Sequence, residues 1–195
     1  MGEQLKVIYL PGRGADPIWQ DEVVKAISPN HDLRIYDEKL PIEPQFADVD
    51  AVVDLGGSYG TREMLDAAPN VRLWQIMGTG IEHFDMQYWS KRPVFVANCP
   101  GPMSAIALAE HAILLMMLVL RDYKTQLRNL SEGVLGNPLG SELDGQTLLL
   151  LGFGASAREL SRRAKGFGMK VIATEIIEVD DATKDQWGAD AIYSP

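Results

Sequence analysis

Short apolar runs recur along the first hundred positions, and each closes on glycine, proline or a polar turn. Positions 6–10 (KVIYL) run into Pro11-Gly12-Arg13-Gly14, which predicts a buried strand and a turn. Asp16-Pro17 then predicts a helix start, with an N-cap and proline at N1, and Ile18, Trp19, Val23 and Ile27 suit one face. Further strands are predicted at 33–36, 51–55, 73–77 and 94–97, with a short helix beginning at Thr61. Three of these strands end in glycine: Gly12, Gly56-Gly57 and Gly78-Thr79-Gly80. Alternation of this kind predicts an open parallel sheet with helices on both faces, whose carboxyl edge is where ligands bind.

The character changes near residue 98, where Pro100-Gly101-Pro102 breaks the pattern and a domain junction is expected. Ser104 precedes a helix expected to run from about 104 to 130, apolar on more than one face and therefore buried between layers or against another subunit. A glycine-rich loop at 133–140 leads to a strand at 147–151. The sequence then reads Gly152-Phe153-Gly154-Ala155-Ser156-Ala157, followed by helical sequence and a second strand, 170–175, ending in Glu175.

This strand-loop-helix-strand unit has the form of a dinucleotide site. Gly152 permits the tight turn, and Gly154 removes a side chain so that a pyrophosphate can lie on backbone. The N–H groups that open the helix donate to that anion, with Ala155 and Ser156 in the first turn. Ala157 stands for the third glycine and is small enough for close packing. Glu175, 21 residues after Gly154, can accept from the hydroxyls of an adenosine ribose. Ile176 and Ile177 follow it, with no arginine to receive a 2′-phosphate, so NAD is expected over NADP.

The formal net charge of −9 argues against partners such as nucleic acid or anionic membrane. The apolar stretch 105–120 contains Glu110 and His111 and is too short for a membrane span. Cys99 is the single cysteine, so no internal disulfide forms and a cytoplasmic setting is expected. None of the three histidines pairs at metal-ligand spacing, and no metal is expected. His31 reads as solvated turn, His83 as packing or capping, and His111 as a hydrogen-bonded helix position. Cys99 reads as a small buried residue, and Met116 with Met117 as core or interface filler.

Several segments together resemble the D-isomer-specific 2-hydroxyacid dehydrogenases, the family that includes formate and phosphoglycerate dehydrogenases. They are Gly56-Gly57-Ser58-Tyr59-Gly60-Thr61-Arg62-Glu63, the run from Leu73 to Asp85, Val96-Ala97-Asn98-Cys99-Pro100-Gly101 with Ala109-Glu110-His111-Ala112, and the run from Leu143 through Gly154 to Val171. The resemblance implies an α/β fold: a flavodoxin-like substrate domain at 1–97, then a dimer helix and the N-terminal half of a Rossmann cofactor domain at 98–195. It implies that Gly57, Ser58, Gly80 and Ile81 offer backbone donors to a substrate carboxylate. It also implies that Ser104 approaches the nicotinamide side of NAD, although a plain N-cap explains Ser104 equally well. The partner implied is a small 2-hydroxy or 2-keto acid, and the assembly a homodimer.

The family's catalytic arginine, glutamate and histidine have no match in these residues, so no catalytic residue is assigned. The resemblance further implies that the second half of the cofactor sheet and a helix returning to the first domain lie outside the sequence. Two functions follow as expectations. One is a truncated dehydrogenase-like protein whose parent family transfers hydride between NAD(H) and a 2-hydroxy acid. The other is an inactive nucleotide-binding or interaction scaffold of the same fold.

Overall fold

The computed structural model describes residues 3–56, 59–82 and 84–195. The chain divides into two compact units, Met1–Pro100 and Gly101–Pro195. In the first, five strands alternate with four helices: β1 (Lys6–Leu10), α1 (Ile18–Ile27), β2 (Asp32–Ile35), α2 (Ile42–Phe46), β3 (Ala51–Asp54), α3 (Arg62–Asp66), β4 (Leu73–Ile76), α4 (Met86–Trp89) and β5 (Phe95–Ala97). All pairings are parallel, in the order β2-β1-β3-β4-β5. That is the flavodoxin-like order, and its chain reversal falls between β1 and β3. Central strands covered on both faces cannot alternate apolar with polar, which is why β1 is buried at four consecutive positions.

One face of this sheet packs on an aromatic cluster. Trp89 lies edge-on to Trp74 and to Phe84, each at 4.8 Å between ring centroids, and Phe46 stacks on Trp74 at 6.2 Å. Asp54 is fully buried at the carboxyl end of β3. It accepts from the Trp74 indole N–H at 3.0 Å and from the Gly56 N–H at 2.7 Å. A buried carboxylate needs such donors, and here they tie the end of the strand to the core. Thr61 caps α3 by accepting from the Met64 N–H. At the surface, the guanidinium groups of Arg62 and Arg92 both lie over the Tyr88 ring, 4.9 Å and 5.6 Å from its centroid.

The second unit opens with a 3₁₀ turn at Gly101–Met103, then α5 (Ala105–Leu120) and α6 (Tyr123–Ser131). The three-stranded parallel sheet β6 (Thr147–Leu151), β7 (Lys170–Thr174) and β8 (Ala191–Tyr193) follows, with α7 (Ala155–Gly166) and α8 (Asp181–Trp187) as crossovers. Helices α5 and α7 pack closely because small side chains meet there: Ala105 and Ala109 are buried on α5, Ser161 and Ala164 on α7. Leu150, Val171 and Ala173 form the core beneath them, while Leu149 and Leu151 point from the opposite, exposed face.

Several expectations change. The helix expected over 104–130 is two, because Asp122 takes a left-handed conformation (φ 44°) and turns the chain between α5 and α6. In α1 the cap shifts by one residue: Pro17 is the N-cap and the Asp16 carboxylate accepts from the Ile18 N–H. Only Val23 of its expected apolar face is buried, and Ile18 and Trp19 are exposed. His31 is partly buried, with Nδ1 accepting from the Leu5 N–H at 3.2 Å, so it ties a turn to β1 and is not a free surface ring. His111 is exposed on α5 with no side-chain bond among the described residues. Cys99 is half-buried. His83 lies outside the described residues.

Candidate functional site

The glycine loop joins β6 to α7. Gly152 has φ 93°, a left-handed conformation that favours glycine, and its N–H continues the ladder to the Thr174 carbonyl at 2.9 Å. Gly154 is the N-cap of α7, and a Cβ built there meets no atom within 4 Å, so the space over the loop is open. Arg158 N–H is the first of the helix to bond back, to the Gly154 carbonyl. The N–H groups of Gly154, Ala155, Ser156 and Ala157 therefore have no acceptor among the described residues. No acid occupies the first turn of α7, and Arg163 and Lys165 sit in its last. With the helix dipole adding to them, these free N–H groups form a receptor for an anion.

Between the two glycines, Phe153 is held at both backbone groups by side chains. Its N–H donates to Glu175 Oε2 at 2.6 Å, and its carbonyl accepts from Arg158 Nε at 2.9 Å. The Phe153 ring is buried, with the Arg158 guanidinium 5.6 Å from its centroid. Glu175 Oε1 also accepts from the N–H groups of Ile176 at 2.8 Å and Ile177 at 3.4 Å. Donation by the Phe153 amide, then by Ile176 and Ile177, holds the Glu175 carboxyl below its ordinary value of 4.5, and nearby Arg158 lowers it further. Three N–H donors occupy most of the roughly four lone-pair directions of a carboxylate. Glu175 therefore faces the site with one open direction, and its first task is to lock the loop.

Beside this clamp lies a cavity of about 250 Å³ lined by Phe153, Gly154, Arg158, Glu175, Asp180 and Thr183. Asp180 caps α8 by accepting from the Thr183 N–H at 2.6 Å, which lowers its pKa, with Arg158 again contributing. Ser104 precedes α5 but makes no cap bond; its hydroxyl reaches the Gly101 carbonyl at only 3.5 Å. Ala155 and Gly101 lie close, since a Cβ on Gly101 would stand 3.8 Å from that of Ala155. The 3₁₀ turn before Ser104 thus packs against the start of α7.

In the first unit, the loop after β4 presents Gly80 and Ile81, whose N–H groups have no acceptor among the described residues. Asn98 donates to the Thr79 carbonyl at 2.6 Å and Cys99 N–H to that of Gly78 at 3.0 Å, which fixes this loop to the end of β5. The Glu82 side chain folds over Gly80 where a Cβ would stand. Gly57 and Ser58 lie outside the described residues. No cluster of metal-ligating side chains occurs among the described residues.

Sequence reasoning missed Arg158, Phe153 and Asn98. Arg158 follows the glycine pattern by one residue and was readable only as helix surface; its bond to Phe153 depends on the side chain folding back over the loop. Asp54, an acid inside an apolar strand, was a signal in the sequence.

Residues 4–185 match the family described as D-isomer specific 2-hydroxyacid dehydrogenase, catalytic domain. The chain is 34% identical over 139 residues to a hydroxypyruvate reductase of Thermotoga maritima, covering 70% of this chain and 44% of that protein. It is 30% identical over 174 residues to a glyoxylate reductase of Korarchaeum cryptofilum, covering 86% of this chain and 48% of that protein. The chain thus spans about half the length of the curated relatives it matches. Among solved structures, a D-lactate dehydrogenase from Aquifex aeolicus complexed with NAD and lactic acid superposes with a TM-score of 0.75 at 22% identity, covering 95% of this chain and 55% of that one. A Granulicella formate dehydrogenase gives 0.77 at 19% identity, covering 95% and 63%. At these identities the structures show a shared fold.

The Glu175 clamp has a pH signature. A carboxylate whose pKa is depressed by folding stabilises the fold above its ordinary value of 4.5 and loses that contribution as pH falls through the lower folded value. Glu175→Gln is expected to melt below wild type at pH 7, with the gap closing as pH falls below 4.5. Melting curves across that range check this; a gap independent of pH, or none at pH 7, would contradict it.

Proposed function

The chain belongs to the D-isomer-specific 2-hydroxyacid dehydrogenase family, and from that premise we propose that its second unit binds the adenosine diphosphate half of NAD. In the same reading, its first unit supplies one wall of a site for a small 2-hydroxy or 2-keto acid. The observation that carries the cofactor reading is the set of four unpaired N–H groups, Gly154, Ala155, Ser156 and Ala157, above an open glycine.

NAD, when bound, supplies the group that accepts or returns a hydride. The residues of this chain bind and orient. The N–H groups at the start of α7 receive the pyrophosphate, and Gly152 and Gly154 keep side chains out of its way. The open direction of Glu175 accepts from a ribose hydroxyl, and its charge repels a 2′-phosphate. Ser104, at the start of α5 and just after the turn that packs on α7, is assigned to the nicotinamide side. On the substrate side, the N–H groups of Gly80 and Ile81 donate to a carboxylate, together with Gly57 and Ser58. The family's catalytic arginine, glutamate and histidine have no counterpart among these residues, so the 195-residue chain by itself is expected to bind without turning over.

Assembly is the second part of the reading. The inward stripe of α5 is Ala105, Ala109, Ile113, Met116 and Leu120, all within its own unit. Ile106, Leu108, Leu115 and Val119 face outward, Val119 at 76% exposure. We assign this outward face to a homodimer about a two-fold axis, which covers it symmetrically. Leu120, on the inward stripe, is not an interface position.

Calorimetry tests the cofactor reading: ADP-ribose is expected to bind, and its 2′-phosphorylated form about tenfold more weakly, equivalent to ~1.4 kcal/mol. The same samples should oxidise no NADH with glyoxylate or hydroxypyruvate. Equal or tighter binding of the phosphorylated form would refute the role of Glu175, and clear turnover would refute the division of labour. Light scattering tests the dimer. Wild type should be dimeric at micromolar concentration and Leu115→Glu with Val119→Glu monomeric; a monomeric wild type, or a dimer that survives both charges, contradicts the assignment.

A further inference from the structure

Among the described residues that line the cavity beside the glycine loop, Arg158 is the only cation. Its place is fixed by two contacts. Nε donates to the Phe153 carbonyl at 2.9 Å, and the guanidinium lies over the buried Phe153 ring, 5.6 Å from its centroid. The terminal nitrogens Nη1 and Nη2 have no hydrogen-bond or ion-pair partner among the described residues. Holding the Phe153 peptide therefore uses one donor of the side chain and leaves its charged end with no task.

Three carboxylates line the same cavity, and none of them closes an ion pair with Arg158. Two have other work: Glu175 accepts from the Phe153, Ile176 and Ile177 amides, and Asp180 caps α8. The third, Glu178, is exposed. The Phe153 amide is the main cause of the low Glu175 pKa and the Thr183 amide of the low Asp180 pKa, and the Arg158 charge adds to both. Its field thus reaches across the cavity. A guanidinium with its planar end free is matched to a carboxylate or a phosphate. In a dinucleotide, the adenosine end that Glu175 receives can carry one such anion, a phosphate on the ribose 2′ oxygen. Glu175 repels that phosphate, and a cation on another wall of the same cavity attracts it.

We propose that Arg158 is a specificity-determining residue of the nucleotide site: it attracts a ribose 2′-phosphate from within the cavity it shares with Glu175, and so keeps the preference for the unphosphorylated ribose shallow. The proposal rests on the assignment of the second unit to the adenosine diphosphate half of NAD. It gives Arg158 two separable effects. The bond from Nε to Phe153 shapes the loop for either ligand, whereas the charge is felt by the phosphorylated ligand alone.

Calorimetry on the full chain separates the two, with ADP-ribose and its 2′-phosphorylated form titrated into wild type, Arg158→Met and Arg158→Lys. The readout is the ratio of the two affinities, because a loosened loop weakens both ligands alike. Arg158→Met, which keeps a long stem and removes the charge, should widen the ratio about tenfold beyond wild type, the effect of losing one charged hydrogen bond. Arg158→Lys, which keeps the charge and loses the planar end, should stay within about threefold of the wild-type ratio, since a lysine still binds phosphate as a point charge. A ratio unchanged in Arg158→Met, or widened as far in Arg158→Lys, would overturn the proposal and leave the NAD assignment standing. A wild-type chain that binds neither ligand would overturn both.

Discussion

The hydrogen bond from the Phe153 amide to the Glu175 carboxylate holds the second unit's site in shape. It joins the turn after β6 to the end of β7, the two carboxyl ends between which a nucleotide lies in folds of this kind. It restrains a turn flanked by two glycines, residues that have the most conformational freedom to lose on folding. Arg158 holds the other side of the same peptide by donating to the Phe153 carbonyl. With both of its backbone groups occupied, Phe153 leaves the next four N–H groups as free donors at the start of α7, with no acceptor among the described residues.

Close packing beneath makes that arrangement affordable. The small residues at the α5–α7 crossing bring backbone near backbone and place Gly101 beside Ala155. Glu110 on α5 pairs with Arg163 on α7 across the crossing, at 3.4 Å and with Glu110 exposed, so this pair adds little. In the first unit the corresponding strut is Asp54. It spends its carboxylate on the Trp74 indole and the Gly56 amide, so the loop that leaves β3 starts from a fixed point in the aromatic core.

Much of this was legible because parallel sheets write themselves plainly. A strand buried on both faces, as β1 is, appears as an unbroken apolar run, and glycine follows soon after its carboxyl end. The glycine loop was legible for the same reason, since Gly152 sits where its positive φ is needed. What escaped were features decided by tertiary contact. Asp122 breaks the long helix in a conformation that a non-glycine residue seldom takes, and nothing in the surrounding composition marks it. The apolar residues of α1 suggested a buried face, yet Ile18 and Trp19 are exposed. Glu175 was readable as a ribose acceptor by position; that three backbone amides already claim it depends on how the chain turns at Ile176 and Ile177.

The central claim is that the N–H groups of Gly154, Ala155, Ser156 and Ala157 receive a pyrophosphate. Amide spectra of the chain titrated in parallel with ADP-ribose and with adenosine test it most directly, because the two ligands share the nucleoside and differ in the phosphates. The account predicts large saturable shifts at those four amides with ADP-ribose and small ones with adenosine. Equal shifts with both ligands, or shifts from ADP-ribose that leave the four amides unmoved, would contradict it.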